Sequence, residues 1–395
     1  MTVRQRVVVL HSRQPITTDL AASFPAEEFD VVVLTDAVDG PVIREGTPGT
    51  SPETLRLPRD RWSEQVRTWA GGVPQVITND EYCLTACAGL RDELGLPARH
   101  PVQLDGYLDK VRMKRVLHAA GVAVPRFTAF EPVVTDDRDT VRRLLDEVGV
   151  PAVAKPRQEA NSRGVSVLRT ADELSDWLTR HAGQAGWQLD AFVDGTLHHV
   201  NALVRDGVVY PVMAGTYLGP LLGVSVGRTL GGRTIPATDP LADAAHELNR
   251  RVVAALGGAG AFVVHTEFAR TASGELLVLE VAARAPGALL PSMALKHAGV
   301  ELEEANLRLQ AGLATPTPEP TGVQAAWLWP AVMPGRRYAG APPFAGAHDV
   351  HVRAVGRNGN TGDEGAIGAS VLLWNADDTL LSADVTLGTE AVWFA

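Results

Sequence analysis

Cysteine is almost absent from this chain, with only Cys83 and Cys87 among 395 residues. They lie one helical turn apart in NDEYCLTACAGLRDELG and share an apolar stripe with Leu90 and Leu94. That pattern reads as two buried thiols, not a metal or redox pair, and fits a reducing cytoplasm. Long apolar runs are missing too: no stretch of 18 apolar residues occurs, so no transmembrane helix is expected. The N-terminal MTVRQRVVVLHSRQ has a short apolar run before polar residues return, which makes it a first strand and not a signal peptide. Basic excess is absent: 36 Lys and Arg stand against 46 Asp and Glu, a formal charge of −10. A chain so charged has nothing to spare for nucleic-acid phosphates or an anionic membrane. Glycine is missing where a dinucleotide-binding unit requires it. The loop after the first strand, HSRQPITTD, cannot form the tight phosphate turn, so NAD is not expected. No Ser-His-Asp or Cys-His arrangement stands out either.

What is present is length for roughly two to four structural units with buried cores. Residues 1–105 read as an α/β unit. Val7–Leu10, Val31–Leu34 and Val73–Ile77 are β-branched runs suited to a parallel sheet, and a helix begins at Asn79 as N-cap and runs to about Leu94. Thr35 to Asp60 reads as a long loop. Residues 106–188 read as a second, α+β unit. Its helix starts at Asp109 and stops at Gly121, a second helix follows Thr135-Asp136, and a third opens with the capping box Thr170 and Glu173. Residues 189–312 carry long strands, a helix with Asp239 as cap and Pro240 at its first position, and two helices after Arg284. The linker LATPTPEPTG precedes a β-rich unit, residues 323–395, with strands at Ala325–Pro330, Val350–Val355, Ala369–Trp374 and Ala383–Leu387 and a turn at Asn375–Asp378.

Three places carry chemistry. Between Ala261 and Gly287 two strands meet at Ser273-Gly274, a plausible two-residue hairpin turn. Counting from that turn puts Glu267 opposite Glu280, with Arg284 and His265 on the same face. Directly opposed carboxylates lie about 5 Å apart at Cβ and repel, so a cation belongs between them, and their hard oxygens suit Mg²⁺. A solvated hairpin face is the bland alternative. Lys110 occupies the first turn of a helix, a poor place for a cation unless an anion such as phosphate sits there. Lys155 ends a strand before the polar loop Arg157–Gly164, whose backbone N–H groups, including those at Ser162 and Gly164, can cover a polyphosphate. Taken alone, Lys110 also reads as a surface lysine and the loop as an ordinary hairpin. In the Gly-rich stretch before the hairpin, Arg228 and Arg233 are candidates to fork onto a substrate carboxylate. His265 is a candidate for the wall of the same pocket. His198, His199, Trp327 and Trp329 read as sheet and core residues.

In their order and spacing, DKVRMKRVLHAAGVAVPRF, PAVAKPRQEANSRGVSV, LDAFVDGTLHHVNALV and HTEF…LVLEVAARAPG resemble the ATP-grasp ligases over about residues 70–310. The resemblance implies an ATP-grasp fold of α/β and α+β parts: an N-terminal α/β domain, a small lid, a large sheet subdomain and a β-rich C-terminal extension. It implies that Lys110 and Lys155 hold ATP phosphates and that Asp190, Ala191, Phe192 and Val193 form the adenine hinge. Glu267 and Glu280 would bind one or two Mg²⁺, and Arg284 would steady the reacting centre. The implied activity is ADP-forming ligation of a small carboxylate to an amine through an acylphosphate, most like the L-amino-acid (dipeptide) ligases. A bicarbonate- or formate-activating relative and a nucleotide-binding module without turnover are the alternatives. The resemblance allows a homodimer. Three departures stand out: Ala282 where the family commonly has asparagine, Thr196-Leu197 where many members have an acidic ribose contact, and a lid loop with little glycine.

Overall fold

The computed structural model describes residues 4–40, 52–69, 74–101, 103–130, 138–160, 162–219, 228–332, 335–352 and 367–395. Parts of several expected segments lie outside these residues: Val73, Asn161, the Thr135-Asp136 start, much of the Gly-rich stretch and Arg353–Val355.

The first sheet is parallel, and its strands run in the order Glu53–Arg56, Phe29–Thr35, Gln5–His11, Gln75–Ile77. Val7 and Val9 bury on one face with Leu20 and Phe24, while Val8 and Leu10 bury on the other with Trp62 and Cys87. Burial on both sides is why these strands read as unbroken apolar runs. The Glu53–Arg56 strand falls within the segment expected to be a long loop. It is exposed along most of its length, so no apolar alternation announced it. Both thiols are buried, and burial raises both, Cys87 to about 12. The helix start also differs from expectation. Asp80, not Asn79, caps a short 3₁₀ turn over Glu81–Cys83 before the helix Leu84–Glu93.

The lid sheet is antiparallel, in the order Phe127–Phe130, Trp187–Ala191, Ala152–Pro156, Ser166–Leu168. Helices Arg138–Glu147 and Ala171–Arg180 pack on it through Leu144, Leu174 and Trp177. The largest sheet has eight strands, ordered Leu276–Ala282, Ala261–Thr271, Gly195–Arg205, Val208–Tyr217, Leu230–Thr234, Gln324–Trp329, Ala369–Asn375, Ala347–Val352. The C-terminal strands thus continue this sheet, joined at the antiparallel pair of Leu230–Thr234 with Gln324–Trp329. Helix Pro240–Leu256, capped by Asp239, buries Ala245, Leu248, Val252, Val253 and Leu256 under one face. Each buried Val or Leu there contributes roughly 1.5–3 kcal/mol. Helices Leu290–Ala298 and Leu302–Gln310 pack on the other face.

One expected strand, Ala383–Leu387, is instead part of helix Asp378–Glu390. Asp377 accepts hydrogen bonds from Thr379 and Leu380, which makes the expected turn an N-cap, and Leu381, Asp384, Val385 and Gly388 bury at helical spacing. The β-branched Val385 and Thr386 masked that period.

Helix Leu302–Gln310 does more than fill space. Asn306 accepts from the Val263 amide at 2.9 Å and donates to Asn79 at 2.9 Å. Gln310 accepts from the Thr78 amide and donates to the Thr78 carbonyl, at 2.9 and 2.7 Å. Asn79 in turn accepts from the Ala285 amide at 3.0 Å. This polar clasp fixes the carboxyl end of the strand Gln75–Ile77 against the chain just past the hairpin.

Candidate active site

The hairpin carries the centre of the site. Glu267 and Glu280 are direct partners in its register, as counted from the sequence, but the route differs. The loop is not a two-residue turn. Thr271 and Glu275 close it across three residues, with Gly274 at φ +87°, the familiar three-residue hairpin with a left-handed glycine. That offset moves the tip register by one, so Phe268 faces Val278. A bulge at Leu279 then inserts one residue and restores the count at Glu280. It also turns Glu280 to the face opposite Val278, although two residues apart along a regular strand would share a face.

Opposed residues share a face, so the register assigns the walls. Glu267 pairs with His199, which pairs with Gly215, while His265 pairs with Asn201 and with Ala282. These residues line the glutamate face. His198, Phe268, Thr216 and Arg233 line the other. Arg233 is therefore not a substrate residue of this pocket. Its guanidinium is held by Asp378 and by Ser382, at 2.7 Å, on the C-terminal helix. Arg228 is exposed just before the strand Leu230–Thr234.

Under the glutamates runs a buried polar chain. Tyr217 donates to Glu267 Oε1 at 2.7 Å, and His265 Nε2 lies 3.4 Å from the same oxygen. His265 Nδ1 meets Asn201 Oδ1 at 2.8 Å, and Asn201 Nδ2 meets His199 Nδ1 at 3.0 Å. Burial raises the Glu267 carboxyl, yet the His265 and Tyr217 contacts outweigh it and bring it down to about 2. Burial pushes His199 down to about 3 and Tyr217 well up, so both stay neutral. Ala282 stands across from His265 in the register.

Lys155 comes from the lid sheet, but Lys110 and Lys114 do not: their helix, expected within the lid, packs under the large sheet through Met113 and Leu117. Lys110 opens helix Lys110–Ala119 with Asp109 as cap, and its Nζ lies 3.2 Å from Glu280 and 2.5 Å from the Glu159 carbonyl. Lys155 reaches Asp190 at 3.0 Å. A lysine not expected from the sequence, Lys114, reaches the same Asp190 oxygen at 2.8 Å and is wholly buried. Its spacing of four from Lys110 was the available signal, since such residues share a helix face. Burial pushes Lys114 down to about 7 against the pull of Asp190, whereas burial lowers Lys155 less than Asp190 and Glu280 raise it. Asp190, expected for its backbone, contributes its carboxylate to this cluster. Of the hinge amides, Ala191 and Phe192 are already bonded to the Arg126 and Pro151 carbonyls. In the covering loop Ser162 (φ +56°) and Gly164 (φ +70°) both adopt left-handed backbone. A Cβ on Gly164 would lie 2.9 Å from Pro156.

Arg284, just past the strand, is buried and donates from Nε (2.8 Å) and Nη2 (2.5 Å) to Glu81 Oε2. Glu81 escaped the sequence reading because it lies in the 3₁₀ turn after the N-terminal sheet, more than 200 positions away. Burial raises its carboxyl, but Arg284 and Lys110 lower it further. The Asp80 carboxylate beside it accepts the amides of Ser12, Arg13 and Gln14 at 2.7, 2.6 and 3.0 Å, so the protein fills its own anion cradle there.

The site therefore sets Lys110, Lys114, Lys155 and Arg284 against Glu81, Asp190, Glu267 and Glu280. The ATP-grasp domain model matches residues 115–287, the segment carrying all but Glu81, Lys110 and Lys114 of this set. The chain has the ATP-grasp fold. An L-amino acid ligase structure from Bacillus licheniformis matches it with a TM-score of 0.71 at 17% identity, over 98% of each chain. An N5-carboxyaminoimidazole ribonucleotide synthetase structure from Thermus thermophilus matches at 0.67 and 20% identity, over 98% of this chain and 99% of that one. In sequence, the L-arginine-specific L-amino acid ligase of Bacillus subtilis is 24% identical over 211 residues, 51% of this chain and 49% of that protein. A D-alanine–D-alanine ligase of Pseudomonas fluorescens is 29% identical over 110 residues, 28% of this chain and 32% of its own length. The chain thus spans half or less of these curated relatives. On this fold the glutamate pair, Lys110, Lys155 and Arg284 come together at one face of the large sheet.

Proposed function

We propose that this chain is an ADP-forming ligase that activates a small carboxylate, an amino acid in the first instance, and joins it to an amine. One observation carries the reading: Glu267, Glu280, Lys110 and Arg284, drawn from two strands, the start of helix Lys110–Ala119 and the turn after the hairpin, meet in a single charge cluster. Phosphoryl transfer asks a protein for positioning and charge neutralisation more than for covalent chemistry. In the free protein Lys110 rests on Glu280 and Lys155 on Asp190. Both are ready to exchange these partners for phosphate oxygens.

The donor carboxylate oxygen attacks the γ-phosphorus and ADP departs. The amine nitrogen then attacks the acyl carbon, phosphate leaves, and the amine proton passes to solvent or phosphate. Arg284 faces the charge that develops on the acyl oxygen. The loop bearing Ser162 and Gly164 keeps water from the acylphosphate. Among the described residues no group of three or more His, Cys, Asp or Glu could hold a metal by itself. Glu267 and Glu280 suit a divalent cation that takes its other ligands from phosphate and water. When bound, Mg²⁺ supplies further neutralisation of the phosphates.

A bicarbonate-activating enzyme is the second reading, favoured by the equally extensive likeness to the Thermus synthetase. Mg-ATP with pooled amino acids separates the two, read by phosphate release and product mass. ADP, phosphate and a dipeptide mass support the proposal. Phosphate released only with bicarbonate favours the second reading, and AMP with pyrophosphate refutes the acylphosphate route for both.

A further inference from the structure

Tyr82 follows Glu81 in the 3₁₀ turn Glu81–Cys83 and reaches a different part of the site. Its hydroxyl donates to Glu159 Oε2 at 2.8 Å, a bond that ties the N-terminal unit to the start of the covering loop, 77 positions on. Both residues are half-buried. The tyrosine is held at its backbone and on its ring. Its amide donates to Asp80 Oδ1 at 3.0 Å, its carbonyl accepts from Arg59 at 2.8 Å, and the Arg13 guanidinium lies 4.5 Å from its ring centroid. Burial raises the phenol and the Glu159 carboxylate raises it further, so it stays a donor.

Glu159 has a second task. Its carbonyl accepts from Lys110 Nζ at 2.5 Å, while the Arg157 carbonyl accepts the Lys110 amide at 3.0 Å and the Arg157 guanidinium grips Asp109. The segment Arg157–Ala160 therefore lies across the N-terminus of helix Lys110–Ala119 and takes up an amide that the helix itself leaves without a partner. A lysine ammonium has three N–H donors. Here one goes to Glu159 and one to Glu280, at 3.2 Å, which leaves the third for a phosphate oxygen. The place of Glu159 thus sets the direction of that third donor, and the Tyr82 bond holds the same residue by its side chain. We infer that Tyr82 is a positioning residue: through Glu159 it keeps the start of the covering loop across Lys110, orienting that lysine for nucleotide and shutting water out of the acylphosphate. The inference deepens the ligase reading and rests on it only for the acylphosphate. Water admitted there bonds through its oxygen to the acyl carbon, phosphate leaves with the bonding pair, and the protons pass to phosphate and solvent. ATP is then consumed and the carboxylate returns unjoined.

The test compares wild type with Tyr82→Phe, Glu159→Ala, the double variant, and Glu159→Gln, whose amide oxygen can still accept from Tyr82. Three quantities are measured. Calorimetry gives the affinity for a non-hydrolysable ATP analogue with Mg²⁺, and limited trypsin digestion gives the rate of cleavage after Arg157 and Arg163 with and without that analogue. Incubation with Mg-ATP and pooled amino acids gives phosphate released per product formed. Tyr82→Phe and Glu159→Ala are each expected to weaken analogue binding and to speed both loop cleavages by about 10-fold, the weight of one hydrogen bond to a charged acceptor. The double variant should be no worse than either single one, because all three lose the same bond. Glu159→Gln should stay close to wild type. Phosphate per product should rise at least about threefold in Tyr82→Phe and Glu159→Ala. A merely structural tie would lower kcat and leave affinity, loop cleavage and the phosphate-to-product ratio unchanged, which refutes the inference without touching the ligase reading. Additive losses in the double variant, or a ratio that stays at the wild-type value while product forms, also refute it. If no pool yields a product the ligase reading fails, and binding and cleavage decide alone: the expected shifts support the role of Tyr82, and their absence refutes it.

Discussion

Replacing Lys114 by methionine is expected to leave the protein at least as stable as it was, although it removes half of a fully buried ion pair. Lys114 shares one oxygen of Asp190 with Lys155. Once Lys114 is gone, Asp190 still has Lys155 at 3.0 Å, so no charge is stranded. An apolar side chain of similar volume replaces a costly buried ammonium, a change that is often neutral or stabilising by about 1–4 kcal/mol. Asp190→Asn removes the shared partner instead and strands two amines, at a cost of about 3–5 kcal/mol.

Proton linkage sharpens the contrast. Lys114 titrates near 7 in the folded protein and near 10.4 when unfolded. Its contribution is therefore complete above about 10.4, falls as pH drops, and is lost below about 7, at about 1.4 kcal/mol per pH unit. Between pH 9 and 7.5 the wild type should lose about 2 kcal/mol relative to Lys114→Met. Comparing the two proteins cancels other titrations in the window, such as Glu301, which burial raises to about 8. Urea unfolding followed by circular dichroism and tryptophan fluorescence reads the change; Trp177 and Trp187, packed at the sheet that carries Asp190, are two of the eight tryptophans that report it. Parallel pH profiles for the two proteins, or a loss in Lys114→Met as large as that in Asp190→Asn, would refute the reasoning.

Glu280→Gln and Lys155→Ala should each reduce phosphate release by at least about 100-fold with an unchanged circular dichroism spectrum, and a fully active Glu280→Gln would sink the metal assignment. Arg233→Ala should leave kcat and KM for every substrate unchanged and cost at most about 1 kcal/mol, since its partner Asp378 is half exposed; a KM rise would return Arg233 to the pocket. Gly215→Ala should cost about 1–3 kcal/mol in chemical denaturation, because its Cβ would lie 2.3 Å from His199 Nε2. A neutral Gly215→Ala would mean that the chain beneath Glu267 can shift.

What the sequence disclosed about this site follows a physical boundary. Lys110, Lys155, Glu267, Glu280 and Arg284 were legible because each is tied to a strand end, a helix start or a hairpin count. The opposition of the glutamates came out right through two offsetting differences, a longer loop and a bulge, that no residue pattern announces. Lys114 was signalled only by its spacing of four from Lys110, because its partner Asp190 comes from the lid sheet. Glu81 depends on how separate sheets dock, and that information lies in the clasp of Asn306 and Gln310 on Thr78 and Asn79, not in any local periodicity. Arg233 shows the converse. Its place in a Gly-rich stretch was readable, but which side of the sheet it faces is set by pairing with strands on either side.

The bulge at Leu279 has a consequence for how this hairpin can change. It divides the ribbon into two zones counted from different origins: the tip from its three-residue loop, the root from the long ladder with Gly195–Arg205. A bulge of this kind works as a slip joint. A residue gained or lost near Ser273 can be absorbed there while the root keeps its phase. The tip is therefore the place to insert an epitope, a label or a short peptide, whereas a single insertion between Glu280 and Arg284 would rotate the chain out of phase with everything built around it.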